Sequence, residues 1–315
     1  MKIISFDKIQ NLGITPLQCY KWTQEAIAEK KNALLPAKIS LKPPGMDGVF
    51  YNTMPAIIPS AKLGGVKLVT RYPERKPSLD SEILLYDLET GENIALLDGD
   101  WITTMRTGAV AAHSVHLFAR KDFQTLGFIG LGNTARATLK VLLAIYPDRS
   151  FIIKLKKYKD QHVYFAKEFQ RYPNATFVFA DTYEETVRNT DVIISAATVL
   201  TEDICADDCF KDGVLVVPIH TRGFTNCDLF FDKVFADDTN HVRGFRYFDR
   251  FKAFAEVSDV VCGKCPGRES DRERILVYNI GIALHDIYFS GKIYDLLKDG
   301  CEEISLNSPD KKFWL

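Results

Sequence analysis

Hydrophobic positions in the first 120 residues mix helical and strand periods. Thr15-Pro16 reads as an N-cap with proline in the first helical position, and Leu17, Tyr20 and Ile27 share a helical face to about Asn32. A Pro/Gly-rich loop, Lys42 to Gly48, leads to strand-like pieces at Val66–Thr70 and Ile83–Tyr86. Leu85–Leu88, the turn Glu89-Thr90-Gly91-Glu92 and Ile94–Leu97 predict a β-hairpin. Asp100 is placed to cap a helix that starts near Trp101 and runs through Ala109, Ala112 and Leu117 toward Arg120.

From Thr125 the pattern becomes short apolar runs alternating with amphipathic stretches, which predicts βαβ units and a parallel sheet. The predicted strands lie near Leu126–Gly130, Phe151–Leu155, Thr176–Phe179, Val192–Ser195, Val214–Val217 and Lys233–Ala236. Helical stretches fall at Thr134–Ile145, Gln161–Arg171 and Tyr183–Arg188. The tail from Glu269 to Lys298 reads as helical, with Ile280, Leu284, Ile287 and Tyr288 on a shared face. The predicted fold class is α/β: a Rossmann-type parallel-sheet domain inserted into a mixed α+β domain. The boundaries drawn are 121–285 for the dinucleotide-binding domain and 1–120 plus 286–315 for the substrate-binding and dimerisation domain.

Composition narrows the function classes. With 40 Lys plus Arg against 41 Asp plus Glu, the net charge of -1 offers no basic excess for nucleic acid or an anionic membrane. No apolar run reaches bilayer length, and the N-terminus does not read as a signal peptide. Seven cysteines, an odd number in a long chain, fit a reducing cytoplasm. Cys262 and Cys265 form a CxxC without a second pair at zinc spacing, so they read as structural thiols and no metal is expected.

The strongest local signal is a strand entering Gly130-Leu131-Gly132-Asn133-Thr134-Ala135, followed by an amphipathic helix. In this Gly-x-Gly-x-x-Ala turn, Gly130 permits the tight bend and Gly132 lets backbone approach a pyrophosphate. Ala135 is small enough for close helix–strand packing. An acid about 20 residues further on would bind the ribose of NAD. That stretch instead carries Lys154, Lys156, Lys157 and Lys159 before Asp160. Lysines attract a 2′-phosphate, so NADP(H) is favoured, with Lys156 and Lys157 as contacts and NAD(H) as the alternative.

Lys67, in a short apolar strand after Gly64-Gly65-Val66, needs a partner for its charge. Arg106 lies in the first turns of an Ala-rich helix and could grip a carboxylate through two parallel N–H bonds. Either could equally pair with a structural acid. His220 follows the apolar strand Val214–Val217, at the kind of strand end where ligands sit, and an imidazole there exchanges protons near neutral pH. His113 and His116 share a helix face without a matching ligand set, and His162, His241 and His285 lack supporting context.

Several motifs together, in order and across most of the chain, resemble the ornithine cyclodeaminase/mu-crystallin family. They are Met54-Pro55-Ala56, Gly65-Val66-Lys67, Glu89-Thr90-Gly91 through Ala95–Gly99, and Thr103–Ala109. The glycine turn, Gly267–Asp271 and Gly281–Asp286 complete the set. The resemblance implies an oxidoreductase-like, dimerising protein that binds a nicotinamide cofactor and a small amino or imino acid. It also implies site roles. Lys67 and Arg106 would hold the substrate carboxylate, and Lys38 falls near where an arginine often assists. Ser78, Thr107, Asn133, Thr134, Ser195, Ala196, Ala197, Thr198 and Ile219 would meet the cofactor. Asn279 and Ile280 would face the substrate.

One departure shapes the functional expectation. Cyclodeaminases of the family place a catalytic aspartate in a Gly-x-Asp-x-x-Gly segment, where this chain has Pro218-Ile219-His220-Thr221-Arg222-Gly223. Asp228 matches a second, less chemical aspartate. An imidazole is a poor partner for the distal ammonium of ornithine. The leading expectation is therefore an NAD(P)(H)-dependent oxidoreductase interconverting a small 2-amino acid and its imino or keto acid. Catalysis falls to His220 and Lys67. The alternatives are an ornithine cyclodeaminase giving proline and a non-enzymatic NADPH-binding protein like mu-crystallin.

Overall fold

The computed structural model describes residues 1–197, 200, 204–219 and 229–305. The strands in chain order are β1 (Lys2–Ile4), β2 (Ile39–Leu41), β3 (Phe50–Ile58), β4 (Leu63–Arg71), β5 (Leu79–Asp87), β6 (Asn93–Asp98), β7 (Thr125–Ile129) and β8 (Phe151–Lys156). They continue as β9 (Ala175–Ala180), β10 (Val192–Ser195), β11 (Leu215–Pro218), β12 (Lys233–Ala236), β13 (Phe254–Glu256), β14 (Ile275–Tyr278) and β15 (Glu302–Glu303). The helices are α1 (Phe6–Asn11), α2 (Pro16–Ala28), α3 (Asp100–Phe118), α4 (Asn133–Ile145) and α5 (Gln161–Phe169). After them come α6 (Tyr183–Val187), α7 (Thr239–Val242), α8 (Val257–Val261) and α9 (Ala283–Leu297).

The chain divides into two compact units. The first holds Met1–Gly13, Asn32–Thr103 and the segment from Ala283 onward. Its seven-stranded sheet runs β15-β1-β6-β5-β4-β3-β2, antiparallel except for the β1–β6 pair. The β5–β6 hairpin forms where the sequence places it. The Asp87 carboxylate accepts the Glu89 and Thr90 N–H groups, and Gly91 takes a positive φ of 74°. Helix α9 packs on one face, where Ile287 lies against Gly65 and Leu63 against Gly291.

The second unit holds Ile14–Lys31 and Thr104–Ile282. Its eight strands are all parallel, in the order β13-β12-β14-β11-β10-β7-β8-β9. Strand succession reverses between β7 and β10, the switch point at which open α/β sheets bind ligands beyond their carboxyl ends. Sequence explains the anchoring of α2: the Thr15 hydroxyl accepts Gln18 N–H at 3.2 Å and the Gln18 amide oxygen returns the bond to Thr15 N–H at 2.9 Å. At the far end of α2 the buried Lys30 ammonium pairs with Asp238 at 3.1 Å and Glu256 at 2.5 Å.

The uniformly helical tail is corrected. Ile275–Tyr278 is strand β14, between β11 and β12 in the sheet, and the helix starts only at Ala283, so Ile280 precedes it. All four β14 residues are buried, and a strand covered on both faces carries no period-2 signature to tell it from a buried helix. Among the described residues no helix is long and apolar enough to cross a membrane.

Candidate functional site

In the second unit, β7 ends in a bend at Gly130, φ 84°, where a Cβ would lie 2.5 Å from the Ala197 nitrogen. Only glycine lets the turn close against the segment after β10. Gly132 is the N-cap of α4, and among the described residues no atom beyond its chain neighbours lies within 4 Å of where its Cβ would stand. That leaves open space over the first turn of a 13-residue helix, where amide N–H groups and the helix dipole favour an anion. Asn133 is exposed and Thr134 half-buried at this mouth, while Ala135 is fully buried beneath it.

Backbone bonds extend the register past the strand ends. Ala196 N–H donates to Ile129 O and Ile219 N–H to Ser195 O, both at 2.7 Å, and Asn279 N–H donates to Pro218 O at 2.9 Å. Gly130, Ser195–Ala197, Ile219 and Asn279 thus share the carboxyl edge of one sheet. Ser195 is buried there, and its Oγ has no hydrogen-bond partner among the described residues. A glycine cradle, a helix N-terminus and a buried hydroxyl on one edge fit a dinucleotide.

The lysines in and just after β8 divide by role. Lys154 Nζ donates to the Arg188 carbonyl at 2.6 Å, and burial pushes its pKa down. Lys156, the last residue of β8, donates to Lys157 O at 3.0 Å and sits over the Tyr183 ring. Lys157 pairs with Asp181 at 2.9 Å. Lys156 and Lys157 stand where an NAD-binding sheet would carry its acid.

Arg106 and Thr107 belong to α3, which meets α4 at Gly108. A Cβ on that glycine would lie 2.5 Å from Ala137 Cβ. The Arg106 side chain is buried, with its guanidinium against Gly281, 3.0 Å from where a Cβ would project. Gly281 has φ 90°, and its N–H donates to the Asp237 carboxylate at 2.6 Å. Asn279 and Ser114 of α3 bond side chain to side chain, Nδ2 to Oγ at 3.1 Å, and Ile280 is 8% exposed between these fixed points. Arg106, Asn279 and Ile280 are therefore brought together. Sequence reasoning missed Asp237 and Ser114; the adjacent acids after an apolar strand, Phe235-Ala236-Asp237-Asp238, were the available signal.

In the first unit Lys67 is fully buried on β4 and pairs with Asp286 of α9 at 2.6 Å, with Thr103 Oγ1 at 3.5 Å. Asp286 enters the sequence reading only as the end of the Gly281–Asp286 motif, without a role, because only the fold brings positions 219 residues apart into contact. Lys38 is half-buried just before β2. Ser78 is half-buried just before β5, and its carbonyl accepts Tyr72 N–H at 2.9 Å.

His220, Thr198 and Asp228 lie outside the described residues. His113 is buried edge-on to Tyr20, and burial, with His116 nearby, pushes its pKa down to about 4. Cys262 is an exposed free thiol and Cys265 a half-buried one. No group of metal-ligating side chains occurs among the described residues.

Comparison with known proteins bears on the fold and the family. The chain is 27% identical over 272 residues to the nodulation efficiency protein NfeD of Rhizobium meliloti, covering 83% of each. It is 26% identical over 261 residues to a Δ1-pyrroline-2-carboxylate reductase of Bacillus cereus, covering 77% of this chain and 80% of that protein. Its fold matches that of Thermococcus litoralis Δ1-pyrroline-2-carboxylate reductase in complex with NADH and L-proline. The TM-score is 0.85 at 23% identity, over 97% of this chain and 100% of that one. Residues 8–301 match the pattern of one family throughout, and the chain belongs to the ornithine cyclodeaminase/mu-crystallin family.

Proposed function

We propose that this chain is an NAD(P)(H)-dependent oxidoreductase that interconverts a small 2-amino acid and its imino or keto acid. A cyclic imino acid of the pyrroline-2-carboxylate type is the first substrate to try, because related proteins carry that activity in their names. The observation that supports this reading best is the buried Arg106 guanidinium against Gly281, in the same unit as the Gly130–Ala135 cradle. Arginine presents a planar fork that matches a carboxylate.

In this reading the cradle holds the cofactor's pyrophosphate, and Lys156 and Lys157 favour the 2′-phosphate of NADP(H). A bound nicotinamide supplies the hydride chemistry. Arg106 fixes the substrate carboxylate, and orientation lowers the barrier by removing bimolecular entropy. His220 exchanges the proton at the substrate nitrogen. The protein acts as a homodimer. An apolar hollow of about 450 Å³ on the β4 face opposite α9, with Leu34, Ile57, Val66 and Leu88 among its walls, is suited to cover by a second copy.

The test is NAD(P)H oxidation with pyrroline-2-carboxylate, and with keto acids plus ammonia. Arg106→Ala removes a charge-assisted bond worth about 1.5–3 kcal/mol, so KM should rise at least about tenfold while cofactor affinity stays put. Proline and ammonia formed from ornithine without net NADH would replace this reading with cyclodeaminase chemistry. Tight NADPH binding with no turnover across the panel would replace it with a binding role.

A further inference from the structure

We propose that Asp237 is a positioning residue for Arg106, acting through the backbone of Gly281. The inference rests on Arg106 as the substrate-carboxylate ligand and assigns the residue that keeps it in place.

Asp237 directly follows β12. Its N–H donates to Tyr278 O at 3.1 Å, continuing the β12–β14 ladder by one rung. Its carboxylate then reaches past that rung to accept the Gly281 N–H at 2.6 Å. Backbone and side chain of one residue thus clamp both ends of Tyr278–Gly281. The clamp holds Gly281 at φ 90°, a conformation that costs any residue with a Cβ. Its outcome is close approach: the two terminal guanidinium nitrogens of Arg106 lie 3.0 and 3.4 Å from where a Gly281 Cβ would stand.

The same segment is tied to the helix that carries Arg106, through Asn279 and Ser114 at 3.1 Å. The neighbouring acid is used differently. Asp238 caps α7 through Asn240 N–H and pairs with Lys30, so the two acids face separate tasks. Asp237 is 2% exposed, and a buried carboxylate is retained at a desolvation cost that its hydrogen bonds must offset. Releasing the Gly281 N–H frees the loop to flip, and the floor beneath the guanidinium goes with it. A bidentate grip on a carboxylate is sensitive to displacements of under about 1 Å.

Asp237→Ala, Asp237→Asn, Gly281→Ala and Arg106→Ala should be compared for imino-acid KM, kcat, and NADPH Kd by fluorescence quenching. Asp237→Ala should raise KM about tenfold, with kcat and NADPH Kd within about twofold, a pattern general loosening of the fold would not produce. Asp237→Asn should stay near the unsubstituted enzyme, because the amide oxygen can still accept the Gly281 N–H. Gly281→Ala should reproduce the KM defect, and combining it with Asp237→Ala should add little. An unchanged KM in Asp237→Ala, beside a raised KM in Arg106→Ala, overturns the inference and leaves the carboxylate-ligand reading standing. An unchanged KM in Arg106→Ala overturns both. An Asp237→Asn as impaired as Asp237→Ala overturns the hydrogen-bond clamp. Should Asp237→Ala fail to fold, Gly281→Ala decides, and a normal KM there overturns the proposal.

Discussion

His113 shows how burial sets the behaviour of a single side chain. The unfolded chain protonates this imidazole near 6.5 and the folded chain only near 4, because desolvation disfavours the cation. Its contribution to stability is therefore whole above about pH 6.5 and falls away as pH drops toward 4, by on the order of 3 kcal/mol. Replacing His113 by Gln should flatten the denaturant-midpoint profile between those limits; an unchanged profile would contradict a neutral buried imidazole. At this scale the sequence exposed half of each partnership. Lys67 and Arg106 stood out as cations in apolar or small-residue surroundings. Asp286 and Asp237 did not, because what makes them matter is the neighbour that folding supplies.

Among elements, the Gly130–Ala135 turn was legible because its chemistry is local: strand, bend and helix start are contiguous. The β14 strand was not. Its residues Ile275-Leu276-Val277-Tyr278 are apolar on both faces, and periodicity is silent when every position is buried. The cost of that misreading falls on the site, since Asn279 to Gly281 leave the end of this strand rather than ride on a helix. The join between β4 and α9 includes the ion pair of Lys67 and Asp286, both fully buried. Lys67→Met or Asp286→Leu alone takes the ion-pair partner from a buried charge and should destabilise by about 3–5 kcal/mol, while the double substitution should recover much of the loss. Single variants with unaltered denaturant midpoints would show that the pair bears no such burden.

For the molecule as a whole, the alternation after Thr125 announced a parallel sheet, whereas the first unit's seven-stranded sheet was visible only in pieces. Its edge and terminal strands are short, and β1 pairs with β6 across some 90 residues of chain, a register no local pattern encodes. The apolar β4 face carries a prediction at this scale. Val66→Glu should convert a dimer to a monomer in sedimentation velocity, and a monomeric unsubstituted protein would contradict the homodimer. Above all, the proposed activity requires one equilibrium: binding of a reduced pyridine nucleotide at the carboxyl edge of the parallel sheet. Titration calorimetry with NADPH and NADH should show saturable binding of one nucleotide per chain, tighter for NADPH, and weakened by bulk at Gly132. Heats of dilution alone with both coenzymes would contradict it.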